Sequence, residues 1–184
     1  MSRSHSPVVQ VVAIGIGAAL FFVLGRFVAI PTPIPNTSIS IQYAILAVLA
    51  VLYGPWVGLL VGLIGHLLID VTGYGIWFSW ELASGVFGLV VALLLLRHRI
   101  HDGEFSAATA LRFVVAVAVA HAAAWLLIAP LGDVLIYSEP AGKVWAQGAV
   151  AFAANTITTA VLGTLILAVY ARTRTRTGSL TVES

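Results

Sequence analysis

Long apolar runs alternate with short polar breaks along this chain, and the runs have the length of helices rather than strands. Six stand out, at about residues 8–29, 41–53, 55–72, 77–97, 108–129 and 144–171. Each reads as a helix that is apolar on nearly every face, the pattern of an element surrounded by protein or lipid. The breaks carry the usual punctuation. Gly54-Pro55 separates the second run from the third, and Gly73 to Gly75 separate the third from the fourth. PTPIPNTS at 31–38 is too rich in proline for a helix and predicts a loop. APLGD at 129–133 followed by SEPAG at 138–142 predicts a break between the fifth and sixth runs. The second run is the shortest. Were it not to cross a bilayer, the count would fall to five and the termini would lie on opposite sides.

Composition fixes the solvent. Of 184 residues, 60% are hydrophobic and 9% charged, against about 25% charged in soluble domains. Runs of about 20 apolar residues match a hydrocarbon core about 30 Å thick. The expectation is an all-α polytopic membrane protein, a single transmembrane domain over 1–184 with six transmembrane helices. The first run is too long for a signal peptide and no small-residue cleavage site precedes the proline-rich loop, so it is read as a mature helix. Cysteine is absent, which removes disulfides, thiolate metal sites and cysteine nucleophiles.

The net charge of +2 is small, and its placement says more. Arg3 precedes the first run, Arg97 and Arg99 follow the fourth, Arg112 opens the fifth, and Arg172, Arg174 and Arg176 follow the sixth. With six spans these all share one face, which the positive-inside rule makes cytoplasmic. The opposite face carries Arg26 and Lys143 among Asp70, Glu81, Asp133 and Glu139. Both termini are expected in the cytoplasm of a prokaryotic cell.

In this topology the strongly polar intramembrane residues gather in the outer half. His66 and Asp70 lie on span three, Glu81 with Trp77 and Trp80 on span four, His121 and Trp125 on span five, and Gln147, Asn155 and Thr159 on span six. His66/Asp70, Trp77/Glu81, His121/Trp125 and Asn155/Thr159 are each four apart, on one helical face. Charged groups in a bilayer are expensive and face a protein interior or a wet cavity, so one outward-opening cavity lined by spans three to six is expected. Structural roles compete at each position: His66–Asp70 as a helix-packing hydrogen bond, Trp77 and Trp80 as an interfacial aromatic belt, Asn155 as interhelical glue. Four of the five tryptophans (Trp77, Trp80, Trp125 and Trp145) fall in the outer half, with Trp56 at the other end. A belt alone would spread over both interfaces. The asymmetry points to a planar aromatic ligand.

Enzyme chemistry finds little purchase. There is no HExxH, no GxSxG, no Asp-rich diphosphate motif and no glycine-rich phosphate loop. His66 and Asp70 form only an HxxxD pair, so neither a metal nor a cofactor is expected. Small residues form stripes instead. Ala13 and Gly17, and Gly15 and Ala19, are four apart on span one, and Gly54, Gly58 and Gly62 repeat the spacing on span three. Such spacing lets helices approach closely in lipid. The span-three stripe suits internal packing and the span-one stripe a docking face for another membrane protein.

These segments resemble a known family. AIGIGAALFFVLGRF, IPTPIPNTSISIQYAILA and YGPWVGLLVGLIGHLLID are similar to the S components, the substrate-binding membrane subunits, of energy-coupling factor (ECF) vitamin transporters, in a subfamily described as riboflavin-type. The resemblance covers nearly the whole chain. It implies a subunit that captures a vitamin or related micronutrient from outside, riboflavin first, and delivers it through a transmembrane coupling subunit and two ATPases. It implies that the loop after helix one, Pro31 to Ser38 with Asn36, covers the site. Contacts would come from Trp80, Glu81, Ser84, His121, Trp125, Gln147 and Asn155, with His66 and Asp70 as a supporting pair. The docking motif would fall on Ala13, Gly15, Gly17 and Ala19. A stand-alone proton- or cation-coupled carrier or channel, and a non-catalytic assembly subunit, are the alternatives.

Overall fold

The computed structural model describes residues 6–73, 75–98 and 100–174. Arg3, Arg99 and Arg176, three of the residues used above for orientation, lie outside them. Apart from turns and loops, the described chain is helical, with one two-residue ladder. In order it forms α1 (Pro7–Phe27), β1 (Ile30–Pro31), β2 (Ser38–Ile39), α2 (Gln42–Tyr53), α3 (Pro55–Thr72), α4 (Phe78–Leu95), a 3-10 turn (Ile100–Asp102), α5 (Ala107–Ala122), a π-turn (Ala123–Ile128), α6 (Ala129–Tyr137) and α7 (Ala141–Thr173). Five helical stretches are long and apolar enough to cross a membrane, with Ala107–Tyr137 counted as one. This is the make-up of a polytopic membrane protein. At 1.5 Å per residue the 12-residue α2 is about 18 Å long, short of a full hydrocarbon core.

Local signals set the helix ends. Ser6 caps α1 through its hydroxyl, with Pro7 in the first turn, and Ser106 caps α5 by accepting from the Thr109 N–H. Between α2 and α3, Gly54 takes φ 105°, a conformation open mainly to glycine. Gly54 is therefore the hinge of a turn and not part of the packing stripe. Gly58 and Gly62 do pack, against α4. A Cβ on Gly58 would stand 2.6 Å from the Gly88 carbonyl oxygen, and one on Gly62 would meet the backbone of Ser84 and Gly85. The two helices run almost backbone to backbone, as small residues allow.

The expected break at APLGD does not occur. The fifth helix runs on through Pro130 and ends only at Ser138, whose φ of 55° turns the chain. Proline removes one donor from a helix and crowds the preceding turn. Here the backbone widens into a π-turn just before it, the kind of local adjustment by which membrane helices accommodate proline. The carbonyl of Leu126, which residue 130 would serve in a regular helix, accepts instead from the indole N–H of Trp145 on α7 at 3.2 Å. Span five therefore reaches Tyr137, and Asp133 lies on a helix rather than in a loop.

The buried residues of α7 (Val144, Gln147, Gly148, Ala151, Asn155, Thr159, Gly163 and Leu167) form one stripe at spacings of three and four. Its upper part is polar and its lower part apolar. The α4–α5 connection packs on the lower end, where Gly103 lies beside Arg174. The β1–β2 ladder, the α3–α4 connection and the α6–α7 connection meet at the upper end around a cavity.

Candidate functional site

The cavity has a volume of about 220 Å³. Three indoles, Trp77, Trp80 and Trp125, contribute to its walls, and Trp80 and Trp125 lie 5.1 Å apart at a 40° tilt. Asp133 on α6 organises this wall. Buried to 2% exposure, its carboxylate accepts from Trp77 Nε1 at 2.7 Å, from Trp80 Nε1 at 2.8 Å and from the Ser79 hydroxyl. Trp77 also stacks on Tyr137 with centroids 4.2 Å apart. Trp125 is held from behind, donating through Nε1 to His121 Nδ1 at 2.8 Å, while His121 Nε2 meets the Thr159 hydroxyl at 3.2 Å. The three indole N–H groups are thus all bonded to protein acceptors, and the rings contribute carbon surface to the cavity wall.

A second network forms the acidic floor. Tyr43 Oη meets Ser84 Oγ at 3.0 Å, Ser84 Oγ meets His66 Nδ1 at 2.6 Å, and His66 Nε2 stands 3.8 Å from Asp70 Oδ1. Asp70 Oδ2 accepts from the Trp77 backbone N–H at 3.2 Å, tying the end of α3 to the start of α4. The carboxyl of Glu81 lies against that of Asp70.

The roof is the proline-rich loop. Ile30 pairs with Ile39 and Pro31 with Ser38, and Asn36 turns the chain at φ 55°. Gln147 donates to the Pro35 carbonyl at 2.8 Å, and Asn155 Oδ1 accepts from the Ser40 N–H at 3.0 Å. The Thr158 hydroxyl donates to the Ser40 carbonyl at 3.1 Å. Three side chains of α7 therefore fasten the roof to the wall.

Of the residues singled out in the sequence, the structure brings Asn36, Trp80, Trp125, Gln147, Asn155, His66 and Asp70 to the cavity surface. Three stand elsewhere. Ser84 is fully buried between Tyr43 and His66, and His121 is fully buried behind Trp125. Glu81 lies behind Asp70 and faces a lateral crevice lined by Leu63, Phe78, Leu82 and Ile136. On α1 the small residues divide. Ala13 and Gly17 are buried, with Gly17 against Leu49 and Val61, whereas Gly15 and Ala19 are exposed. Arg26 lies beside Gly73 and over the Phe27 ring.

Asp133, Tyr43 and Gln42 also line the cavity, and none of the three is expected there from the sequence. Asp133 was hidden by the supposed loop, although Trp125, Ala129 and Asp133 continue the four-residue spacing of one face. Gln42 and Tyr43 open the short second helix, where position alone gave no sign that they are buried and line the cavity.

A family model described as "ECF-type riboflavin transporter, S component" matches residues 6–172. The chain belongs to this family. Its relatives include a UPF0397 protein of Streptococcus gordonii, 57% identical over 172 residues that cover 93% of this chain and 92% of the relative. A UPF0397 protein of Streptococcus pneumoniae is 54% identical, with 93% and 94% covered. S components are substrate-binding membrane subunits of transporters and not enzymes.

Proposed function

We propose that this S component captures a vitamin-sized planar heterocycle in the cavity between α3, α4, α6 and α7, and passes it to a coupling subunit and two ATPases that drive uptake. The observation that carries this reading is the wall of three indoles. Their N–H groups are already bonded to protein, so a ligand meets the carbon surface of the rings, and flat ligands pack well against aromatic side chains. Riboflavin is the first candidate by family. The cavity volume of about 220 Å³ is small beside the usual range of about 300–1,000 Å³, which favours a pyrimidine- or purine-sized ligand as the second.

The proposed setting is a prokaryotic plasma membrane, with one domain of six spans in which α2 is the short one and both termini are cytoplasmic. Supporting this, Arg97, Arg112, Arg172 and Arg174 follow or precede helices at the end opposite the cavity. The roof loop then faces outward as the lid, and the exposed Gly15–Ala19 side of α1 faces the coupling subunit. The chain contains no cysteine, so single cysteines at Ser38, Ser138 and Ser106 report orientation directly. Impermeant reagents should label the first two in intact cells and not the third; labelling at Ser106 would reverse the reading. For the site, binding of riboflavin or a purine should quench tryptophan fluorescence, and Trp125→Ala should remove part of that quench and weaken affinity.

A further inference from the structure

We propose that the ligand of this cavity carries a positive charge or an amidine-like N–H edge that docks on Asp70, so that the substrate class is a cationic or amino-substituted nitrogen heterocycle rather than a neutral, carbonyl-edged flavin. The inference rests on the cavity being the substrate site and adds the chemistry of what fills it. Among the described residues, the charged groups lining the cavity are Asp70, Asp133, Glu139 and Lys143. Two of them answer each other, since Lys143 Nζ donates to Glu139 Oε2 at 2.7 Å. Asp133 is met by three donors. Asp70 is different. It is 3% exposed and accepts one backbone N–H. Its side-chain neighbours are His66, too far at 3.8 Å for a normal hydrogen bond, and a second carboxyl group, that of Glu81, with which it shares a hydrogen bond.

The unpartnered atoms point the same way. Glu81 is 4% exposed and Gln42 5% exposed, and in each the buried Oε1 has no hydrogen-bond partner. Both atoms are acceptors. Gln42 lines the cavity beside Asp70, and Glu81 backs it. A site with surplus acceptors wants a donor. Two adjacent carboxyl groups in a poorly solvated place repel each other unless a cation or a proton comes between them. A cationic ring or protonated amidine would answer Asp70 at its edge while its face met Trp77, Trp80 and Trp125, where cation–π attraction adds to stacking. The pyrimidine edge of a flavin presents carbonyl oxygens on both sides of its N–H. Set against Asp70, those lone pairs would face a carboxylate.

The test uses the purified full-length chain in nanodiscs, with tryptophan quenching as readout. Thiamine serves as a cationic aminopyrimidine probe, 4-aminopyrimidine as its smallest relative, and riboflavin as the neutral, carbonyl-edged comparison. At least one of the first two should bind ten-fold or more tightly than riboflavin, and Asp70→Asn should abolish that preference. Asp70→Asn keeps an acceptor for the Trp77 N–H. Should it fail to fold, Glu81→Gln should reduce the preference in the same direction from outside the cavity lining. Riboflavin binding most tightly, through a Trp125-dependent quench that Asp70→Asn leaves unchanged or strengthens, would overturn the inference and leave the site standing. No quench from any probe would overturn it as well, and would count against the cavity as a site for planar heterocycles.

Discussion

The two sides of the cavity are built from polar residues in opposite ways. On the α7 side, Gln147, Asn155 and Thr158 bond the backbone of the proline-rich loop. They hold a roof. On the α3–α4–α6 side, Asp133 orients two indoles, and Asp70 faces the cavity bonded to one backbone N–H and to the carboxyl group of Glu81. The three α7 side chains are satisfied within the chain, whereas the acidic side keeps a buried acceptor without a donor, Glu81 Oε1. A polar residue inside a membrane protein can therefore serve closure or recognition, and its hydrogen-bond partners tell the two apart.

Breaking the acidic side should have the largest effect. Asp133→Ala would leave two indole N–H groups and a buried hydroxyl without their acceptor. Leaving a buried donor unsatisfied costs about 1–3 kcal/mol, so the loss in folding stability should reach about 2–4 kcal/mol, with ligand binding abolished. Thermal unfolding in detergent and a binding titration would measure both. Full affinity in this variant would mean that Trp77 and Trp80 do not form the binding wall.

The amide side should respond more mildly and in kinetics. Gln147→Ala with Asn155→Ala would unfasten the roof while leaving the indoles in place. Ligand release should accelerate by roughly ten-fold, on the scale of about one to two hydrogen bonds, with protease cleavage rising within 31–38. Stopped-flow release and limited proteolysis would show it. If release is unchanged, the loop is not a lid.

A contrast on α1 sharpens the division between packing and docking. Gly17→Leu should lower thermal stability, since even a Cβ there would come within 2.8 Å of Val61 Cγ2. Ala19→Leu, on the exposed side, should leave stability and ligand binding intact and reduce assembly with the coupling subunit, read by co-purification. Equal effects from both would mean that the stripe has one role.

Smaller still is Trp145→Phe. It removes the donor that serves the Leu126 carbonyl, and should cost about 1 kcal/mol with little change in affinity. A large loss of affinity would place Trp145 in the recognition wall after all.

Much of this was legible in the sequence, because a bilayer makes hydrophobic runs informative. The runs at 55–72 and 77–97 correspond closely to α3 and α4, and the four-residue spacing of His66/Asp70 and Asn155/Thr159 does place polar groups on inward faces. Other features were hidden for identifiable reasons. Pro130 reads as a breaker because the indole that replaces its missing donor comes from Trp145, 15 residues further along the chain. That error concealed Asp133. Glu81, Ser84 and His121 share the polar faces, yet they stand behind the surface, because spacing gives direction from the helix axis and not depth from the cavity. On α1, a stripe of small residues cannot say which of its two edges packs inside the bundle and which stays exposed.

Native mass spectrometry of the full-length chain, purified gently from a host grown in rich medium, tests the central claim most directly. One equivalent of an aromatic, vitamin-sized molecule is expected on the wild-type chain, and its loss from a folded Trp80→Ala, Trp125→Ala double variant. Full retention of the same molecule by that variant, or a bound molecule that is aliphatic or a bare metal ion, would contradict it.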